Sequence, residues 1–270
     1  MTTTSAPSAH PTESRAPRVG SLLPPPGPVP LIRLVGLEVR KMVDTLAGRW
    51  LVIVTVGLAL VLMIGFAVFA DAEQVTVGMS LGAAAGPFGI LLPVLGIMAA
   101  TAEWSQRAGL VTFSLEPRRG RIVLARVVAG VVVGVAVVLV SVAQAYAVTV
   151  AGGLLGASVA YDVGPAELAG FVVVMALSVL QGVAFGFLFL NTPVAIVTIF
   201  ALPSAVAIAV EFSERVAEIA PWIDLSRSGA PLIEGTLTWT TAGQLATSSL
   251  LWIGLPLALG TWRVMTSEVK

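Results

Sequence analysis

The chain has 270 residues and no net formal charge, and 57% of its residues are hydrophobic whereas only 11% are charged. Because soluble domains average about 25% charged residues, this composition indicates an integral membrane protein. The chain contains no cysteine, which excludes disulfides, thiolate metal sites and a cysteine nucleophile.

The N-terminal segment, residues 1–29, has the composition of a disordered cytoplasmic tail. Eight of the seventeen prolines fall within the first thirty residues, and the segment is too polar to bury a core. It also contains the only histidine, His10. We interpret this histidine as a solvated side chain and not as a catalytic one, and we assign residues 30–270 to a single membrane domain.

The first periodic segment predicts an amphipathic helix over residues 31–48. Apolar residues recur at helical spacing from Leu31 to Leu46, while Arg33, Arg40 and Asp44 lie on the opposite face. A helix of this kind lies flat on a membrane surface. We expect it on the cytoplasmic face, directly before the first span.

Six apolar stretches approach the ~20 residues needed to cross a bilayer. The predicted spans are residues 50–70, 79–102, 123–151, 168–190, 193–210 and 245–262. A loop over 103–122 separates the second and third spans. The loop before the last span, residues 211–244, is longer than a simple connection requires, so we expect short helices near the outer membrane surface.

The distribution of Lys and Arg predicts the orientation of the chain in the cell membrane. With six spans, thirteen of the fifteen basic residues fall on one side, and only Arg215 and Arg227 fall on the other. Because basic loops stay in the cytoplasm, both termini of this multi-pass protein are predicted to be cytoplasmic.

The loop after the second span is unusually basic. The segment from Glu103 to Arg126 holds five of the fifteen Lys and Arg residues. Two or three arginines are sufficient to fix topology, so the excess favours a folded surface that docks another protein. A plain topology signal is the alternative interpretation.

No set of residues in the sequence points to catalysis or to autonomous energy coupling, and a serine nucleophile would have no identifiable base to activate it. None of the fifteen Asp and Glu residues falls in the middle of a predicted span, which disfavours proton-coupled or ion-coupled transport. The only lysines are Lys41 and Lys270, and neither follows the glycine of a phosphate-binding loop. We therefore predict no catalytic residues, no metal site and no cofactor in this chain.

Two glutamines enter the predicted spans, Gln144 in the third and Gln181 in the fourth. They are candidates for a substrate pathway, and interhelical hydrogen bonding is the competing interpretation. Small residues at four-residue spacing, Gly182 with Gly186 and Gly130 with Gly134, predict close approach of helices.

The residues around the basic loop resemble a known family, the permease subunits of type-2 ATP-binding-cassette (ABC) exporters. The stretch "EWSQRAGLVTFSLEPRRGR" and the C-terminal "GLPLALGTWRVMTSEVK" are similar to an actinobacterial subgroup of these permeases. Thr266 and Ser267 stand where a basic pair is common in the family. The positions that match the family pattern are Glu103, Arg107, Gly109, Pro117, Gly120 with Arg121, and Arg126.

The resemblance implies an all-α fold with an interfacial helix followed by six transmembrane helices, as in type V exporters. It implies two partner ATPase subunits that bind ATP and Mg²⁺, a second permease subunit of the same or a sibling sequence, surrounding lipid and no nucleic acid. A short coupling helix after the second span would seat in the ATPase. The implied interface comprises Glu103, Arg107, Gly109, Pro117, Arg118, Arg119, Arg121 and Arg40.

Two other functions are compatible with the sequence. The chain could be a membrane scaffold or regulatory protein whose basic loop docks a cytosolic partner without any transport. An intramembrane enzyme is the third possibility, although no residue set supports it. Substrate-dependent stimulation of a bound ATPase separates an exporter subunit from a scaffold.

Overall fold

The computed structural model describes residues 29–69, 74–105 and 119–266, and they are almost entirely helical. In chain order they form α1 (Leu31–Asp44), α2 (Leu46–Phe69), β1 (Val75–Thr76), α3 (Val77–Ser105), α4 (Arg119–Leu154), β2 (Val159–Ala160), α5 (Pro165–Phe189), α6 (Thr192–Phe212), α7 (Glu214–Ile223), α8 (Leu225–Ile233), α9 (Trp239–Ser249), a π-helical turn (Leu250–Gly254) and α10 (Leu255–Thr266).

Within the described residues, six helical segments are long and apolar enough to cross a membrane, which agrees with the number predicted from composition. Five of them are α2 to α6, and the sixth is the continuous run Trp239–Thr266 formed by α9, the π-helical turn and α10. The shortest has 19 residues, close to the ~20 that span the hydrocarbon core. The chain is a multi-pass membrane protein.

The amphipathic segment is shorter than the predicted 31–48. Helix α1 ends at Asp44, because Thr45 adopts an extended conformation with ψ of 139°. The Thr45 hydroxyl then accepts a hydrogen bond from the Gly48 amide at 3.2 Å, which caps the start of α2. The first spanning helix therefore begins at Leu46, inside the segment predicted to lie on the surface.

The third spanning helix also begins before its apolar stretch. Helix α4 starts at Arg119, so Arg119 and Arg121 belong to this helix and not to the predicted loop 103–122. Hydropathy places the boundary near Val123 because it registers apolar side chains and not backbone hydrogen bonds. The last spanning segment likewise begins at Trp239, ahead of residue 245, because Thr238 and Thr241 form a reciprocal capping box.

The predicted outer loop 211–244 contains two short helices, α7 and α8, which meet at Asp224. The Asp224 carboxylate accepts hydrogen bonds from the amides of Ser226 and Arg227, at 2.9 and 3.2 Å, and so caps α8. The hydroxyls of Ser228 on α8 and Ser248 on α9 lie 2.6 Å apart in a buried contact. The bend at Asp224, where α7 meets α8, therefore packs onto α9, the first part of the last spanning segment. We refer to this bend as the elbow.

Helices α3 and α5 form the centre of the bundle, where their backbones are in direct contact. A Cβ atom added at Gly182 would lie 2.0 Å from the carbonyl oxygen of Pro93, and one at Gly96 would lie 2.2 Å from that of Val179. On the other side of α5, a Cβ at Gly134 of α4 would lie 2.4 Å from the Val179 side chain. The predicted close approach of helices at Gly182 and Gly134 is confirmed within the chain, and Gly96 is a further glycine of the same kind.

The bundle has two chemically different ends. At one end, α1 lies against the start of α4, and α4 contacts the end of α3 through Arg126 and the Ala100 carbonyl. At the same end, the hydroxyls of Thr101 and Thr192 lie 2.7 Å apart where α5 turns into α6. At the other end, β1 and β2 pair in parallel, and the Gly78 amide donates to the Asp162 carboxylate at 2.9 Å. We refer to the end that carries α1 as the basic end and to the end that carries Asp162 as the acidic end.

Candidate functional site

A buried ion pair joins α1 to α4 at the basic end. The Arg126 Nε donates to Glu38 Oε2 at 3.1 Å, and the Lys41 Nζ donates to Glu38 Oε1 at 2.7 Å. Glu38 is 8% exposed and Arg126 is 3% exposed, so neither charge is compensated by water and each requires partners of opposite charge. Arg126 Nη1 also lies 3.5 Å from the carbonyl oxygen of Ala100, which brings the end of α3 into the same cluster.

A second contact connects the same two helices. Arg121, in the first turn of α4, donates a hydrogen bond through Nη2 to the carbonyl oxygen of Val29, just before α1. Arg121 is one of the predicted interface residues, and the structure uses it at least partly within the chain. Together with Glu38 and Arg126, this contact makes α1 and the start of α4 a single unit.

The other predicted interface residues lie on α1, at the end of α3, at the start of α4 or outside the described residues. Arg40 lies on the exposed face of α1, where its side chain is 78% exposed and pairs with Asp44 at 3.7 Å. Glu103 and Arg119 fall at the end of α3 and the start of α4. The remaining four, Arg107, Gly109, Pro117 and Arg118, lie outside the described residues.

The structure adds Glu38, which the sequence interpretation did not single out. Its signal was present, because Glu38 interrupts the apolar stripe of α1 between Val35 and Met42. An acidic side chain on a face that packs inward requires a cation. The partner could not be identified because Arg126 is 88 residues further along the chain.

A cavity of about 210 Å³ lies between α3, α5 and α6, toward the acidic end. The elbow between α7 and α8 and the ring of Trp252 complete its wall. Trp252 is fixed by a hydrogen bond from Nε1 to the Ile223 carbonyl at 2.5 Å and by stacking on Phe185. Gln181, one of the two predicted pathway residues, lines this cavity.

The cavity is mainly apolar, with a few polar groups that are mostly engaged already. The hydroxyls of Ser178 and Ser204 donate to the backbone carbonyls one turn earlier, at 3.2 and 2.8 Å. Asp224 caps α8 and pairs with Arg227 at 3.5 Å. Within the part of the chain that the structure describes, the Gln181 amide has no hydrogen-bond partner, so it is the polar side chain left on the spanning helices of the lining to meet a ligand.

Gln144, the second predicted pathway residue, lies elsewhere and does not line this cavity. It is on α4, one turn from Ser141, and its Oε1 atom is buried. Neither Gln144 Oε1 nor the Ser141 hydroxyl has a hydrogen-bond partner among the described residues. The structure therefore separates the two glutamines that the sequence grouped together.

At the acidic end, Asp162 connects the loops before α3 and α5. Partial burial raises the pKa of Asp162, but hydrogen bonds from the Gly78 amide, the Thr76 hydroxyl and the backbone amide of Asp162 itself together hold the pKa below its usual value. The ionised carboxylate is therefore the form that holds the two loops together. Across residues 29–69, 74–105 and 119–266, no three His, Cys, Asp or Glu side chains are placed to hold a metal ion.

Comparison of the chain with protein-family models and with curated proteins gives no match.

Proposed function

We propose that this chain is the permease subunit of an ABC exporter of the type-2 branch, located in the cell membrane with both termini in the cytoplasm. Two separate ATPase subunits would bind ATP and Mg²⁺, and a second permease subunit would complete the pathway. The observation that supports the proposal is the connection of α1 to α4 through Glu38 and Arg126. Arg126 is the last residue of the basic segment, the name we use for residues 103–126.

This connection gives a physical route for coupling. Arg126 contacts Glu38 on α1 and the last turns of α3 through the Ala100 carbonyl. A force applied to α1 or to the basic segment therefore acts on α3 and α4 together. Because α3 is in backbone contact with α5 at Gly182, the displacement reaches the helix that carries Gln181.

The basic segment is tested by charge reversal at the two arginines that precede the α1 contact. We expect Arg118→Glu with Arg119→Glu to abolish binding of the ATPase subunit, or to uncouple ATP hydrolysis from export in proteoliposomes. Arg121 is left unchanged, because its bond to Val29 supports the fold. Arg40→Glu in the same assay reports whether the exposed face of α1 also contributes.

The readout is ATP hydrolysis and substrate efflux by the complex co-purified from its source cells. Active export by the purified chain without an ATPase subunit would contradict the proposal. ATPase binding without any substrate-dependent stimulation of hydrolysis would favour the scaffold function instead.

A further inference from the structure

The Gln181 amide has unused hydrogen-bonding capacity in a place where water is scarce. A glutamine side chain offers two donor hydrogens and a carbonyl acceptor, and Gln181 lies in the middle of α5. Polar groups without partners are costly at membrane depth. A hydrogen bond between Gln181 and a hydroxyl or amide of a ligand therefore stabilises the complex more here than the same hydrogen bond would in water.

The charge of the cavity restricts its occupant. Among the described residues that line the cavity, Asp224 is the one ionisable residue, and its carboxylate is compensated by Arg227 and by two backbone amides. A charged ligand would have to leave water without a counter-charge. The occupant is therefore neutral, and walls that include Leu177, Ile199 and Phe200 favour an apolar body.

The size of the cavity and its position indicate how a ligand enters. Its volume of about 210 Å³ is below the ~300 Å³ of the smallest drug-sized pockets, so it accepts a small molecule or one arm of a larger one. Ser204 lines the cavity and is exposed on α6, a helix whose spanning window is only 11% buried. The cavity thus opens onto an exposed face of this spanning helix, from which a ligand dissolved in the membrane would enter.

We propose that this cavity binds a neutral, membrane-soluble amphipath whose hydroxyl or amide group hydrogen-bonds to Gln181. Its role as a transport substrate rests on the proposed exporter function, whereas its binding does not. The cavity lies inside one subunit, so binding requires neither the ATPase nor the second permease subunit.

The test uses quenching of Trp252 by a brominated alcohol. In the full-length chain, the other five of its six tryptophans are replaced by phenylalanine, and the purified protein in detergent is titrated with ω-bromoundecanol. We expect saturable quenching. A matched chain that keeps only Trp262, which is 64% exposed on α10, should show the non-saturating quenching of simple partitioning.

Three variants decide the site. Gln181→Leu should raise the half-saturating concentration about three- to tenfold, the effect of losing one neutral hydrogen bond, while Gln144→Leu should leave it unchanged. Ser204→Phe, at the exposed mouth, should remove the saturable component. Non-saturating quenching of Trp252, an unchanged response in Gln181→Leu, or equal quenching by ω-bromoundecanoate would overturn the proposal.

The transport assay fails independently of this one. Saturable quenching in a protein that shows no coupled ATP hydrolysis would retain the binding site and reject the exporter function. Coupled export without saturable quenching would retain the exporter function and place its substrate elsewhere.

Discussion

Glu38 connects α1 to the bundle through a buried ion pair. Two cations approach its two carboxylate oxygens, Arg126 from α4 and Lys41 from its own helix. The two ion pairs differ in burial, because the Arg126 side chain is 4% exposed and the Lys41 side chain 49%. Breaking the buried pair removes a compensating contact from a charge that water does not reach, whereas breaking the half-exposed pair leaves a charge in contact with water.

We therefore expect Glu38→Ala to destabilise the protein by about 3 kcal/mol. Lys41→Ala is the matched control, for which we expect a loss of less than about 1 kcal/mol. Replacing both partners, Glu38→Leu with Arg126→Met, should recover most of the stability, because both charges of the buried pair are then absent. The measurement is the midpoint of thermal unfolding in detergent, followed by tryptophan fluorescence. Equal midpoints for Glu38→Ala and Lys41→Ala would show that the buried pair does not hold α1.

Among the elements, α3 and α5 are packed so closely that a methyl group does not fit between them. Gly182 faces the backbone of α3, and backbone atoms cannot move aside as a flexible side chain can. Gly65 on α2 provides the contrast, since nothing lies within 4 Å of a Cβ added there. The two glycines have the same chemistry but opposite packing environments.

Gly182→Ala should force α3 and α5 apart and cost about 1–3 kcal/mol, the range observed for overpacked cores. Gly65→Ala should be neutral or slightly stabilising, because alanine is the better helix former by up to about 1 kcal/mol. Comparison of the two variants in the same detergent by thermal unfolding gives the difference directly. A Gly182→Ala protein that unfolds with the unchanged protein would mean that the two helices are not in backbone contact.

Across the whole molecule, the sequence was sufficient to predict the features that depend on one segment at a time, namely the spanning helices and the close packing at small residues. The six spanning helices follow from apolar length, and the close packing at Gly134 and Gly182 follows from small residues in the spans. Helix starts at Leu46 and Trp239 depend on the capping hydroxyls of Thr45 and Thr238, which hydropathy does not register.

Features that join distant parts of the chain could not be predicted from the sequence. The pairing of Glu38 with Arg126 depends on how α1 lies across α4, and sequence spacing does not specify that geometry. The cavity around Gln181 depends on the elbow at Asp224, which forms part of its wall together with α5 and α6. This arrangement follows from the folded structure and not from the spacing of residues in the sequence. The sequence thus supplied one lining residue without the volume that gives it a role.

Orientation is a property of the whole chain, and the absence of cysteine makes it directly measurable. Single cysteines at Arg40, whose side chain is 78% exposed at the basic end, and at Trp239, which is 96% exposed near the acidic end, place one thiol at each end of the bundle. Because the basic end is expected in the cytoplasm, a membrane-impermeant maleimide should label Trp239→Cys in intact cells and Arg40→Cys only after permeabilisation. The reverse pattern would place the basic segment outside the cell, where no ATP-binding partner could reach it, and would remove the exporter proposal together with the predicted topology.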